Sequence, residues 1–92
     1  MLSGMVKENM PNTYILKDQK DKIYIGSCVN IESRFSDHLR GNTPSTKNFI
    51  NPRIVWKKEF ITLKEARACE RKIKKWKSRK MIELLIEEKI KV

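Results

Sequence analysis

One amphipathic segment constrains this chain more than any other. Thr62-Leu63-Lys64-Glu65 has the form of a capping box, with the threonine closing on the third following residue and the glutamate reaching back. Beyond it, Leu63, Ala66, Cys69, Ile73 and Trp76 recur at helical spacing and predict a helix through about Lys77 with a single apolar stripe. Such a stripe has to be buried against another layer. At 92 residues the chain has room for one compact domain and one core.

The other layer is legible upstream. Thr13-Tyr14-Ile15-Leu16 and Ile23-Tyr24-Ile25 are rich in β-branched and aromatic residues and predict two strands, joined by the polar run Lys17 to Lys22. A hairpin centred on Gln19 sets Tyr14 opposite Tyr24, with both rings on one face. A slip of one residue flips one strand, so the register is an expectation only. Gly26 is expected to end the second strand. Asn30 is a candidate N-cap for a helix from Ile31 to about Leu39, with Ile31, Phe35 and Leu39 as its buried stripe and Gly41 as its stop. Arg34 and His38, four apart, share the neighbouring face. Residues 42–52 read as a loop with a helical turn. Arg53 to Phe60 reads as a third strand, and Arg79 to about Lys89 as a last helix using Met81, Ile82, Leu85 and Ile86. Residues 1–11 read as a flexible leader and 12–92 as the domain. The order β-β-α-β-α-α predicts an α+β or mixed α/β fold, a small sheet with helices against it.

Charge narrows the function. The chain carries 21 Lys and Arg against 11 Asp and Glu, a net of +10. Lys64 to Lys80 alone holds nine basic residues and two acidic ones. A solvated basic helix is the plain explanation; a surface facing nucleic acid or an anionic membrane is the functional one. The membrane fits poorly, because the helix has no broad apolar face beyond its core stripe. No apolar run approaches the length of a membrane span and the first residues lack a signal-peptide core, so a cytoplasmic location is expected. Cys28 and Cys69 stand far apart with His38 as the sole histidine, which is too few ligands for a Cys/His zinc site. Both cysteines are expected to be reduced and structural.

Three groups of residues carry candidate chemistry. Glu70 falls inside the arc of the apolar stripe, where an acid is seldom left unpaired. Either it pairs with Lys74, four residues on, or it meets a divalent cation at the rim of the core. On the helical wheel Arg67, Lys74 and Lys77 flank it, so the helix would guide a strand past this carboxylate. Arg34 and His38 either lie on a solvated face or act on a phosphate, the arginine neutralising it and the histidine moving a proton or polarising it. Tyr14 and Tyr24 are either hairpin packing or site residues, since a phenol with a pKa of about 10 needs cations nearby to become a base.

Taken in order, these residues resemble the GIY-YIG nuclease family and in particular its small stand-alone members. The resemblance runs from about Asn12 to Glu87. It rests on T-Y-I-L, then I-Y-I-G-S-C-V-N-I-E-S-R-F-S-D-H-L-R-G, then P-R-I-V-W-K-K-E-F and E-A-R-A-C-E-R-K-I-K-K-W-K-S-R-K-M-I-E-L-L-I. It implies a three-stranded antiparallel sheet flanked by helices and a Mg²⁺- or Mn²⁺-dependent cleavage of phosphodiester bonds. Tyr14 matches the tyrosine that is a candidate general base, and Tyr24 the tyrosine beside it. Arg34 matches the arginine that steadies the phosphate. His38 falls where relatives place a histidine or tyrosine, and Glu70 matches the single metal-binding carboxylate. Three departures stand out. The first motif reads T-Y-I rather than G-I-Y. No asparagine follows Asn51, where many members carry a late one, and Ser27 replaces the strand-end lysine of excision-repair relatives. The expected substrate is DNA, with RNA as the alternative, contacted through Lys47, Arg67, Lys74 and Lys77. Relatives act in restriction, DNA repair, recombination and homing, often through an attached domain, so a protein partner supplying specificity is also expected. The competing reading is a catalytically weak nucleic-acid-binding module of the same fold.

Overall fold

The computed structural model describes residues 10–92. The predicted leader lies outside the described residues through residue 9. Its last two residues are tied to the domain, because the Asn12 side chain donates to the Met10 carbonyl (3.0 Å) and the Phe60 N–H to the Pro11 carbonyl (2.8 Å). Three strands and three α-helices follow in the expected order: β1 (Asn12–Lys17), β2 (Ile23–Cys28), α1 (Ile31–Leu39), β3 (Arg53–Glu59), α2 (Leu63–Trp76) and α3 (Arg79–Ile86). A single 3₁₀ turn, Pro44–Thr46, sits in the loop after α1. The sheet is antiparallel, ordered β2-β1-β3, so β1 is central and β2 and β3 are its edges.

The hairpin register differs from the expectation by two residues. Tyr14 stands opposite Gly26, and Leu16 opposite Tyr24. The turn is set by Asp18 rather than centred on Gln19. The Asp18 side chain accepts from the N–H groups of Lys20 (2.9 Å) and Lys22 (2.8 Å), while Asp21 takes a left-handed conformation with φ 65°. A shift of two preserves parity, so both tyrosines still share a face. Gly26 does not end β2, which continues to Cys28. The same aspartate also accepts from the Ile50 N–H (3.1 Å), and the Gln19 N–H donates to the Ile50 carbonyl (2.8 Å), which clasps the hairpin to the segment entering β3.

Alternation along the strands gives the sheet two unlike faces. Ile15 and Ile25 face α2 and α3 and join Cys69, Ile73 and Leu85 in the main core, with Trp56, Phe60 and Trp76 packed against it. Tyr14, Leu16 and Cys28 face α1 and form a smaller cluster with Tyr24, Ile31, Phe35 and Ile54. The capping box of α2 is formed as expected, and the helix ends at Lys77 in a left-handed cap. Ser78 then caps α3 through the Met81 N–H (3.2 Å). Both cysteines are free and buried.

One predicted stripe is corrected. At about 100° per residue, His38 lies about 20° from Ile31 on the α1 wheel, whereas Leu39 lies about 80° away. His38 is accordingly buried and Leu39 is 57% exposed. Arg34 stays on the flank of the helix and is exposed.

Candidate active site

The α1 face of the sheet gathers three rings around one glycine. Tyr14 is buried, and its ring crosses the backbone of Gly26 on the neighbouring strand. A Cβ added at Gly26 would stand 2.8 Å from Tyr14 Oη and 2.8 Å from Tyr24 Cε2. Only glycine leaves that space, so the glycine after Tyr24-Ile25 is required by packing. The centroids of Tyr14 and Tyr24 are 6.1 Å apart, those of Tyr14 and His38 5.7 Å, and those of Tyr24 and His38 5.1 Å. All three separations lie within the range of favourable aromatic contact.

A chain of polar contacts runs beneath these rings. Tyr14 Oη is 2.9 Å from His38 Nε2, and His38 Nδ1 is 2.6 Å from Thr46 Oγ1. All three residues are almost fully buried. Thr46 reaches His38 because Gly41, at φ 75°, turns the chain out of α1 and the 3₁₀ turn folds back over the helix end. Burial, and then the adjacent Tyr24, hold the Tyr14 phenol well above its ordinary value, while the Arg34 charge acts the other way. Burial, and then Arg34, hold the His38 imidazole below its ordinary value, so it is neutral at pH 7. Among the described residues the Arg34 guanidinium makes no side-chain hydrogen bond or ion pair. Its charge acts on Tyr14, Cys28 and His38.

Glu70 approaches from the other face. Ser27 and Tyr24 lie three residues apart on β2 and so point to opposite sides of this edge strand. Ser27 Oγ donates to Glu70 Oε1 (2.5 Å), and Lys74 Nζ donates to Glu70 Oε2 (2.6 Å). The Glu70 side chain is 20% exposed, at the rim of the core rather than within it. The expected ion pair with Lys74 is therefore present, and Ser27 is a second partner that sequence spacing did not reveal. Next to it, Thr13 donates to the Ala66 carbonyl (2.6 Å) and locks β1 against α2.

A divalent cation fits this carboxylate in its chemistry. Among the described residues no group of three or more His, Cys, Asp and Glu gathers to enclose a metal. A hard ion held by one carboxylate and mostly by water needs no such group. Lys74 Nζ marks Oε2 as a place for positive charge, and its side chain is 52% exposed and free to swing aside.

Of the expected nucleic-acid contacts, Arg67 is exposed on α2 and Lys77 at its C-cap, and Lys47 is exposed at the end of the 3₁₀ turn that covers His38. Lys74 is engaged by Glu70. No helix among the described residues is long and apolar enough to cross a membrane. Thr46, eight residues from His38, was missed at the sequence level, and Ser27 was seen only as a departure from relatives, not as the partner of Glu70, 43 residues on. Comparison with known proteins returned no match among curated proteins and none among solved structures. A family model, the GIY-YIG catalytic domain, matches residues 10–83.

Proposed function

The chain belongs to the GIY-YIG family, and from that premise we propose that it is a metal-dependent endonuclease hydrolysing phosphodiester bonds in DNA. The observation that carries this reading is the convergence of Tyr14, Tyr24 and His38 on one sheet face within the influence of the Arg34 charge.

Phosphodiester hydrolysis needs charge stabilisation on the phosphate oxygens and an activated water. Arg34 supplies a charge that forms no ion pair among the described residues, on the exposed flank of α1. Tyr14 is the candidate base for the attacking water, in its phenolate form. Burial opposes that form, whereas Arg34 favours it, so Tyr14 becomes competent only when positive charge has gathered over the face. Tyr24 shares the face and completes the ring cluster that fixes the direction of the Tyr14 oxygen. Glu70 would hold Mg²⁺ or Mn²⁺, with Ser27 setting the carboxylate's orientation. When bound, the ion supplies Lewis-acid charge to a phosphate oxygen. Lys47, Arg67 and Lys77, joined by Lys74 once it leaves Glu70, would contact the DNA backbone and make binding sensitive to salt. DNA repair is one role such an activity serves, and a protein partner would supply specificity.

Glu70→Gln tests the assignment. Glutamine keeps an acceptor for Ser27 but removes the charge that attracts the cation. Mg²⁺-dependent cleavage of supercoiled plasmid should vanish while DNA binding persists or tightens. Stability should change by no more than about 0.5 kcal/mol, the scale of a surface i,i+4 pair. Retained Mg²⁺-dependent cleavage would overturn the reading.

A further inference from the structure

Thr46 was outside every motif in the sequence, yet it makes one of the two polar contacts of the buried His38 imidazole. Thr46 is 1% exposed, and its hydroxyl has a single partner among the described residues, His38 Nδ1 at 2.6 Å. A hydroxyl has one proton to donate, and a buried donor left without an acceptor is costly, whereas an unused lone pair is less so. If Nδ1 carried the hydrogen, the Thr46 hydroxyl could only accept and its own proton would be stranded in the interior. If Nδ1 is bare, the hydroxyl donates to it and both groups are satisfied. The imidazole is neutral, so its one hydrogen then sits on Nε2, which is 2.9 Å from Tyr14 Oη.

We infer that Thr46 is a positioning residue that holds His38 in the Nε2–H tautomer and thereby aims an N–H donor at the Tyr14 oxygen. The assignment of the tautomer stands on the hydrogen-bond geometry of a neutral imidazole; its use in cleavage rests on the nuclease reading above. The consequence for Tyr14 is specific. Its oxygen accepts from Nε2–H, and its own O–H, equally buried, turns to the adjacent Tyr24 hydroxyl, so neither hydroxyl proton is stranded. In the phenolate form that the nuclease reading requires, the oxygen keeps a fixed hydrogen-bond donor in Nε2–H, and the Arg34 charge favours that form. The 3₁₀ turn is therefore part of the site, reaching Tyr14 through His38.

His38 is the only histidine, so ¹⁵N-histidine labelling yields a single imidazole to observe. The ¹⁵N shifts distinguish a protonated ring nitrogen from a bare one. At pH 8 the native protein should show Nε2 protonated and Nδ1 bare. Thr46→Val, which keeps the shape and removes the hydroxyl, should lose that preference and move population toward the Nδ1–H form. Thr46→Ser should restore it. Plasmid cleavage should fall about tenfold in Thr46→Val and recover in Thr46→Ser, the scale of one lost hydrogen bond. A native Nδ1–H tautomer overturns the inference, and so does an unchanged Nε2–H tautomer in Thr46→Val. If Thr46→Val fails to fold, the native spectrum and Thr46→Ser still decide the matter. The expected tautomers with no cleavage in any variant would uphold the positioning role and count against the nuclease reading.

Discussion

The two faces of the sheet are built to different specifications. On the α2/α3 face Ile15, Ile25, Cys69, Ile73 and Leu85 pack apolar side chain against apolar side chain. On the α1 face a smaller buried cluster encloses phenols, an imidazole and a threonine hydroxyl, joined by short polar contacts. The first arrangement is non-directional and tolerates substitution in proportion to volume. The second costs desolvation at each polar group and repays it only if every partner is in place. A 92-residue chain with a small core carries such a face because the other face supplies the stability.

The widest separation between the faces should come from one substitution on each. Ile73→Ala empties a fully buried site of the main core and should cost about 2–5 kcal/mol in denaturant unfolding. Below the shifted midpoint, cleavage per folded molecule should be unaltered. Arg34→Ala should do the opposite. Turnover should drop about 10²–10³-fold, as loss of one transition-state charge partner does, while the unfolding midpoint stays put because the side chain is exposed. Loss of stability in Arg34→Ala, with turnover intact, would reverse the roles assigned to the two sides.

Gly26→Ala comes next, because it forces the α1 face without touching the other. The new methyl would meet Tyr14 Oη and Tyr24 Cε2 at 2.8 Å, too close for either ring to remain where it is. Strain of this kind costs about 1–3 kcal/mol. Stability should fall by that amount, and cleavage should fall further than stability accounts for, because the Tyr14 oxygen is displaced from His38. Tyrosine fluorescence and a crystal structure of the variant would show whether the rings move. A variant with native stability and unmoved rings would mean that the strand edge yields instead.

How much of this was legible in the sequence depended on how local the cause was. The capping box of α2, the stop at Gly41 and the shared face of Tyr14 and Tyr24 are decided within a few residues, and they were read correctly. The hairpin register was missed because Asp18, a turn residue, is recruited by three backbone N–H groups, one of them at Ile50, 32 residues away. The buried position of His38 was obscured by counting in fours, which follows Leu39 off the stripe while the helix rotates His38 into it. Thr46 carries no signal of its own, and Ser27 showed only as the residue in place of a relative's lysine, since a serine or threonine gains its partner only from the tertiary structure. Glu70 was visible as an acid out of pattern, and its pair with Lys74 followed from spacing, whereas its bond to Ser27 spans 43 residues.

The smallest expected effect distinguishes the faces by pH. His38 is held below its ordinary value of 6.5 by burial and then by Arg34, so between that value and its lower folded pKa the unfolded chain binds more protons than the folded one. Stability therefore rises with pH across this window and is lost as pH falls below about 6.5. Asp18 is also held low: burial opposes its charge, but the backbone donors of Ile50, Lys22 and Lys20 prevail. Glu83 is held low by hydrogen bonds from Arg79 and then Lys17. Their contributions have the same sign but are lost only below their ordinary values of 3.8 and 4.5. A first decline between pH 6.5 and 5 should thus come from the α1 face, ahead of any acid response at the hairpin turn or at α3. Melting curves of the native protein and of His38→Gln over this interval would test the order. The native midpoint should fall with pH and the variant's should fall less, because glutamine has no proton to gain. Parallel slopes in the two proteins would show that the buried imidazole is not the group being titrated, and the polar α1 face would lose its claim to be the acid-sensitive half of the molecule.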